Sequence, residues 1–68
     1  MLVSEAFDQL QSGKRPAEVT SWVANRIRST KESAMWFQRQ LLLKIEQKRL
    51  PLMVSADSDN NVLIERKE

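Results

Sequence analysis

The sequence predicts an α+β fold that is mostly helical, with three helices followed by a C-terminal β-hairpin. Two observations lead to this prediction. Apolar residues recur at three- and four-residue steps from the N-terminus to Pro51, which is the spacing of amphipathic helices. After Pro51, the short apolar runs "LMV" and "VLI" flank a stretch of Ser, Asp and Asn, which is typical of two strands joined by a loop of about five residues. A chain of 68 residues forms one domain at most.

The first predicted helix covers residues 2–12. Its apolar residues fall on one face and are Leu2 or Val3, Ala6, Phe7 and Leu10. Gly13 follows directly, and glycine is favoured at the C-terminal end of a helix because it takes up a left-handed backbone conformation at no steric cost. The helix is therefore predicted to end beside this glycine.

The second predicted helix covers residues 16–28. Pro16 suits its first turn, because the N–H that proline lacks would have no partner there. Trp22 lies at the edge of the apolar face, and Arg26, four residues further on, is close enough to stack over its ring. We expect this pairing to shield Trp22 from water; the alternative is that Arg26 faces a phosphate group beside the aromatic ring. The apolar face itself consists of Val19, Val23, Ala24 and Ile27.

The third predicted helix is the longest. Ser29 and Glu32 form the S-x-x-E pattern of a capping box directly before an apolar run, so the helix is predicted to begin at Ser29. It continues to residue 49 or 50, where Pro51 ends it. A helical projection places its expected core residues in one sector, with Met35 at the edge; they are Ala34, Phe37, Leu41, Leu42 and Ile45.

This helix also carries apolar residues on its opposite side, where Trp36, Leu43 and Leu50 lie seven residues apart. Three interpretations stay open. The hairpin folds back and covers Leu43 and Leu50; two copies of the helix pack against each other in a homodimer; or the side binds a partner protein, for which an exposed tryptophan is a good anchor. These three residues are the candidate partner or dimer interface.

The composition argues against several classes of function. Without Cys or His, the chain forms no disulfide and no Cys/His zinc site, and it has no thiol or imidazole for catalysis. No apolar run is long enough to cross a bilayer, and the acidic N-terminal segment does not fit a signal peptide. The sequence therefore predicts a cytoplasmic protein that is not an enzyme and uses no cofactor.

The acidic stretch near the C-terminus raises the question of a metal site. Within "DSDNNVLIERKE", Asp57, Asp59 and Asn61 match the first three ligand positions of the EF-hand calcium loop, and Glu68 matches the last. The stretch therefore resembles that loop. It departs from the pattern at Val62, where the sharp turn of the calcium loop needs glycine. Asp and Asn are also preferred in ordinary turns, so we expect no bound metal.

Positive charge is concentrated in the middle of the chain. Residues 14–50 carry nine Lys and Arg against three Glu, a net charge of +6, whereas residues 1–13 and residues 51–68 each carry −2. A basic region between acidic ends is suited to nucleic acid or to an acidic partner. The candidate nucleic-acid site lies around the junction of the second and third helices and consists of Arg26, Arg28, Lys31 and Arg39.

The order of elements resembles that of winged-helix DNA-binding domains. The resemblance rests on "KIEQKRLPLMVSADSDNNVLIER", which is similar to the end of a recognition helix that continues into a hairpin wing. It implies that the third helix enters the major groove and that the hairpin contacts the DNA backbone. The sequence thus favours a small, dimeric regulatory protein that binds DNA through the second and third helices. The alternative is a protein-interaction module or inhibitor that binds its partner through Trp36, Leu43 and Leu50.

Overall fold

The computed structural model describes residues 2–67 and contains the predicted elements in the predicted order. They are the helices α1 (Leu2–Gln11), α2 (Pro16–Thr30) and α3 (Ala34–Lys48), and the strands β1 (Leu52–Ala56) and β2 (Val62–Arg66). The prediction of a mostly helical α+β fold with a C-terminal hairpin is therefore confirmed. Among the described residues, no helix is long and apolar enough to cross a membrane.

One hydrophobic core joins all five elements. α1 packs against α2 and α3, while β2 packs against α2 and β1 packs against α3. Phe37, Leu41 and Ile45 of α3 are almost completely buried. No polar side chain is buried in the part of the chain that the structure describes. The other core residues are Val3, Ala6, Phe7, Leu10, Val19, Val23, Ile27, Ala34, Val54, Val62 and Ile64.

The junction between α2 and α3 lies later in the sequence than predicted. α2 includes Ser29 and ends at Thr30, and Lys31, whose φ of 56° is left-handed, is its C-cap. α3 begins after Ser33, whose side-chain oxygen accepts a hydrogen bond of 3.2 Å from the Trp36 N–H. The predicted capping box of Ser29 and Glu32 is therefore wrong, and Ser33 caps the helix instead.

A side chain from the hairpin loop explains why α3 starts where it does. The Asn60 side-chain amide donates a hydrogen bond of 2.9 Å to the Glu32 carbonyl oxygen, and the Asn60 side-chain oxygen accepts one of 2.8 Å from the Ala34 N–H. Asn60 thus satisfies one of the free N–H groups at the start of α3 from 26 residues away. Its φ of 64° is one that asparagine tolerates better than most residues do.

α3 ends in a Schellman motif. Arg49 has a left-handed φ of 54°, and its N–H donates a hydrogen bond of 3.2 Å to the Glu46 carbonyl oxygen. The Leu50 N–H donates one of 3.1 Å to the Ile45 carbonyl oxygen. The motif satisfies the last carbonyl groups of the helix and reverses the chain. Leu50 consequently packs back against the core and leaves the apolar side of α3.

The two strands form an antiparallel hairpin that lies against the helices. One of its faces contributes Val54, Val62 and Ile64 to the core. Met53 and Leu63 are about half exposed, because alternate residues of a strand face opposite sides of the sheet. Five residues connect the strands, so the predicted length of the loop is confirmed.

Side chains from the two neighbouring helices bind the outer edges of the hairpin. The Thr20 hydroxyl in α2 accepts a hydrogen bond of 2.9 Å from the Ile64 N–H and donates one of 3.3 Å to the Ile64 carbonyl oxygen. On the other edge, the Gln38 side-chain amide in α3 donates a hydrogen bond of 3.0 Å to the Val54 carbonyl oxygen. A two-stranded hairpin leaves unpaired backbone groups on both edges, and these contacts satisfy groups near the middle of each.

Replacing Asn60 with glycine tests whether the loop holds the start of α3. Glycine tolerates the positive φ but removes both side-chain hydrogen bonds, so we expect Asn60→Gly to lower the free energy of unfolding by about 1–3 kcal/mol. Ser58→Gly is the matched control, because Ser58 lies in the same exposed loop. Both substitutions to glycine raise the conformational entropy of the unfolded chain by a similar amount. Urea denaturation measures both variants. Equal losses would contradict the role of Asn60.

Candidate interaction surfaces

Within the described residues, the exposed large apolar side chains belong to α3 and to the hairpin. Five of them are about half exposed, namely Met35 (56%), Trp36 (45%), Leu43 (52%), Met53 (50%) and Leu63 (47%). All five belong to α3 or to the hairpin, and none belongs to α1 or α2. Single apolar residues are normal at a protein surface, but a concentration of them on two adjacent elements is typical of an interaction surface.

α3 carries three of these side chains on the side that faces away from the core. At about 100° per residue, Trp36 and Leu43 lie about 20° apart around the helix axis. Neighbouring exposed residues widen this sector to about 100°. We call it the α3 outer face, and it consists of Met35, Trp36, Arg39, Leu43 and Glu46. Its two charges are opposite in sign, so the face has no net charge.

Leu50 does not belong to the α3 outer face. It packs against the core and lines a groove of about 600 Å³ between α3 and β1, together with Leu42, Leu52 and Met53. The expectation that the hairpin covers Leu43 and Leu50 therefore holds for Leu50 only, because Leu43 remains exposed. Leu42, which was predicted for the core, is partly buried and forms a wall of this groove.

The residues predicted to bind nucleic acid do not share one face. Arg26 lies 5.0 Å from the centre of the Trp22 ring, which confirms the predicted stacking, and its guanidinium donates a hydrogen bond of 3.0 Å to the Glu5 carboxylate of α1. Arg28 is two residues further along α2, and two residues correspond to a rotation of about 200°. Arg28 therefore lies on the opposite flank of α2, where it lines a small groove with Asp59 of the hairpin loop.

Arg39 is separate from both of these arginines, whereas Lys31 follows Arg28 by three residues at the end of α2. Lys31 is the exposed, left-handed residue that ends α2, and Arg39 lies in the α3 outer face. Lys14 and Arg15 precede α2 and lie at its other end, about 22 Å away from Lys31 by the rise of a helix of this length. The structure therefore does not assemble a single basic surface around the α2–α3 junction.

The acidic hairpin loop is organised by hydrogen bonds within itself. The Asp57 carboxylate accepts hydrogen bonds of 3.1 Å from the Asn61 N–H and 3.0 Å from the Asp59 N–H. These bonds, chiefly the one from Asn61, stabilise the charged carboxylate and lower the pKa of Asp57 below its ordinary value. Within residues 2–67, no three acidic, His or Cys side chains are grouped to hold a metal ion. The stretch that resembles an EF-hand loop forms the hairpin turn and β2, and Glu68 lies outside the described residues.

Met53 and Leu63 are exposed residues that the sequence pattern did not single out. Each is the middle residue of a three-residue apolar run, "LMV" or "VLI". Because alternate residues of a strand face opposite sides, the middle residue faces away from the side on which its two neighbours lie. If the two runs are assigned to a hairpin with one buried face, this alternation predicts that Met53 and Leu63 are exposed.

Comparison with known proteins assigns no family to the chain. Protein-family models, curated protein sequences and solved structures were compared with it, and none of them matches. A functional proposal therefore rests on the chemistry and geometry of the surfaces described above.

Alanine substitutions at two adjacent aromatic residues of α3, Phe37 and Trp36, compare the stability contributed by its buried and exposed sides. Phe37 is 0% exposed, so we expect Phe37→Ala to lower the free energy of unfolding by about 3–5 kcal/mol. Trp36 is 45% exposed, so Trp36→Ala should change it by about 1 kcal/mol or less. Urea denaturation at low protein concentration measures both. A similar loss in the two variants would mean that the Trp36 side of α3 is covered within one chain.

Protonation of Asp57 is expected to weaken the hairpin loop. Its pKa is lower in the folded than in the unfolded chain, so its contribution to stability is complete above the unfolded pKa and is lost as the pH falls through the folded pKa. Asp57→Asn keeps an oxygen acceptor but does not titrate, so this variant should lose less stability than the wild type over that acidic range. Thermal denaturation at a series of pH values compares them. Parallel pH profiles would exclude this role of Asp57.

Proposed function

We propose that this chain is a small non-enzymatic regulatory protein that binds a partner protein through the α3 outer face. The observation that supports this most is that Trp36 and Leu43 are each about half exposed and share one sector of the helix. Tryptophan is enriched among the residues that dominate interface energies. Burying its large side chain against a partner removes a large apolar area from water.

The charged residues of the same face support protein binding. Arg39 precedes Leu43 by four residues and Glu46 follows it by three, so both lie next to Leu43 on the helix surface. Protein interfaces commonly surround an apolar centre with polar and charged groups that select the partner. The partner that fits this face has an apolar centre with an acidic group opposite Arg39 and a basic group opposite Glu46.

A second copy of the chain is one partner with this chemistry. Arg39 and Glu46 lie on opposite sides of Leu43 along α3. Two α3 helices that cross antiparallel near Leu43 therefore bring Arg39 of each copy close to Glu46 of the other, as a two-fold axis requires. The seven-residue spacing of Trp36 and Leu43 also favours packing of two helices. A homodimer through α3 is accordingly part of this proposal.

DNA binding through α2 and α3 is the second candidate function. The order of three helices and a hairpin, which resembles winged-helix domains, favours it. Arg28, Lys31 and Arg39 are exposed and form no ion pair within the described residues. Against this candidate, the charge of Arg26 is balanced by Glu5. The hairpin tip is acidic, and phosphate groups would repel it. We therefore rank it second.

Two double variants separate the two candidate functions. Trp36→Ala/Leu43→Ser removes the apolar part of the α3 outer face, whereas Arg28→Gln/Lys31→Gln removes two charges of the DNA candidate. Tagged protein is recovered from its native cells at low and at high salt, and its partners are identified. We expect one partner protein to stay bound at high salt, because apolar burial is not screened by ions. Trp36→Ala/Leu43→Ser should abolish its recovery, and Arg28→Gln/Lys31→Gln should not.

The reverse pattern would favour DNA binding. In that case nucleic acid would be recovered, salt would release it, and only Arg28→Gln/Lys31→Gln would abolish its recovery. Sedimentation of the purified chain at micromolar concentration tests the homodimer separately. A wild-type dimer and a monomeric Trp36→Ala/Leu43→Ser variant would identify the second copy as the partner.

A further inference from the structure

Three pairs of adjacent basic residues stand at the ends of secondary-structure elements. One pair precedes α2, one spans the end of α3 and one spans the end of β2; they are Lys14–Arg15, Lys48–Arg49 and Arg66–Lys67. These pairs contain six of the 11 Lys and Arg residues of the chain. They are far apart in the sequence, and no local pattern relates one pair to another.

The fold brings the three pairs to one end of the molecule. Lys14 and Arg66 line the same groove, which has a volume of about 290 Å³. Arg49 and Lys67 line the groove of about 600 Å³ between α3 and β1. Leu50 lines both grooves, so these four cations surround one small apolar ridge. We call the three pairs together the basic end.

The charges of the basic end are not balanced by ion pairs in the described part of the chain. All six residues are exposed. The ion pair found within residues 2–67 joins Arg26 to Glu5, which lie elsewhere on α2 and α1. Glu46 is the one carboxylate among the described residues that line the larger groove, and no described carboxylate lines the smaller one. In the sequence, Glu18 follows Arg15 by three residues, and Glu65 and Glu68 flank the third pair. With Glu46, these make four carboxylates against six cations, so the basic end keeps a net positive charge.

Helix dipoles do not account for all three pairs. The dipole stabilises cations at the C-terminal end of a helix, which explains Lys48 and Arg49. Arg15 is the N-cap residue of α2, however, where the dipole disfavours a positive charge. Arg66 and Lys67 end a strand, and strands have only a small net dipole. An anionic ligand accounts for all three pairs at once.

We propose that the basic end binds the phosphodiester backbone of double-stranded nucleic acid. The cations come from three chain segments across an end of a molecule whose shorter dimensions are 19 Å, so they can contact several phosphates together. No aromatic side chain lines either groove, so the bases of a single strand find no ring on which to stack. This surface adjoins the α3 outer face at Glu46, which lines the larger groove, but none of its six cations belongs to that face. Its proposed ligand does not depend on the proposed protein partner.

Binding of this kind is largely independent of base sequence. Lysine and arginine contacts to phosphate oxygens position a protein on a duplex but do not read the base edges. Each contact also releases a condensed counterion, so the affinity falls steeply as the salt concentration rises. The basic end therefore attaches the chain to a duplex and leaves the α3 outer face free.

Fluorescence anisotropy with a labelled DNA duplex of random sequence, over a series of salt concentrations, tests this proposal. The logarithm of the association constant should fall linearly with the logarithm of the salt concentration. Replacing one basic pair by glutamine removes up to two phosphate contacts, so the affinity should fall and the slope should become shallower by about 1–2 units. The variants are Lys14→Gln/Arg15→Gln, Lys48→Gln/Arg49→Gln and Arg66→Gln/Lys67→Gln. Circular dichroism confirms that each is folded, and single substitutions replace any pair that is not.

The matched control is Arg28→Gln/Lys31→Gln, which removes the same charge near the opposite end of α2. This control should leave the salt slope unchanged. If DNA instead binds at the α2–α3 junction, the control makes the slope shallower and the three basic-pair variants do not. Trp36→Ala is a second control; at a protein concentration where the wild type is monomeric, it should also leave the slope unchanged. The proposal for the basic end therefore stands or fails independently of the α3 outer face.

Additional probes decide which polyanion is bound. A duplex RNA of the same length distinguishes the two sources of a phosphodiester backbone, and binding to either duplex supports the proposal. Three results would overturn it. The wild type does not bind a duplex in a salt-dependent way; the control variant loses as much slope as the basic pairs do; or the chain binds polyglutamate or phosphatidylserine vesicles and neither duplex.

Discussion

The structure depends on the docking of the hairpin between α2 and α3 by hydrogen bonds from side chains to the backbone. A two-stranded hairpin is only marginally stable alone, yet this one supplies Val54, Val62 and Ile64 to the core. Thr20 and Gln38 bind its two edges, as described above, and its loop binds the start of α3. A shift in register by one residue would break these bonds and would turn the buried strand residues towards water.

This docking also determines which side of α3 stays exposed. α1 and β1 both pack against α3, so the sector opposite the core has no neighbour within the described chain. No other helix or strand within residues 2–67 covers Trp36 and Leu43. The exposure of the α3 outer face therefore follows from the way the described elements pack. The reversal at Arg49 then removes Leu50 from that face.

The two proposed binding surfaces have different physical character. The α3 outer face is apolar with balanced charges, so a complex formed there gains free energy chiefly from the removal of apolar area from water. The basic end has an excess of cations around the two grooves, so a complex formed there with a polyanion depends on phosphate contacts and on salt. They adjoin at Glu46 but are otherwise formed by different residues. A chain that uses both surfaces can hold a protein partner and a nucleic acid together, which is a simple way for a protein this small to act as a regulator.

The sequence by itself determined the type, number and order of the elements, because these depend on local periodicity and on turn residues. It did not determine the α2–α3 junction. Ser29 and Ser33 are both suitable caps, and the choice between them depends on Asn60, which is distant in the sequence and adjacent only in the fold. The charged surfaces were decided by the tertiary structure for the same reason. Arg26 and Arg28 are close in the sequence but about 200° apart around a helix, whereas the three basic pairs are far apart in the sequence and meet only because the ends of three elements pack together.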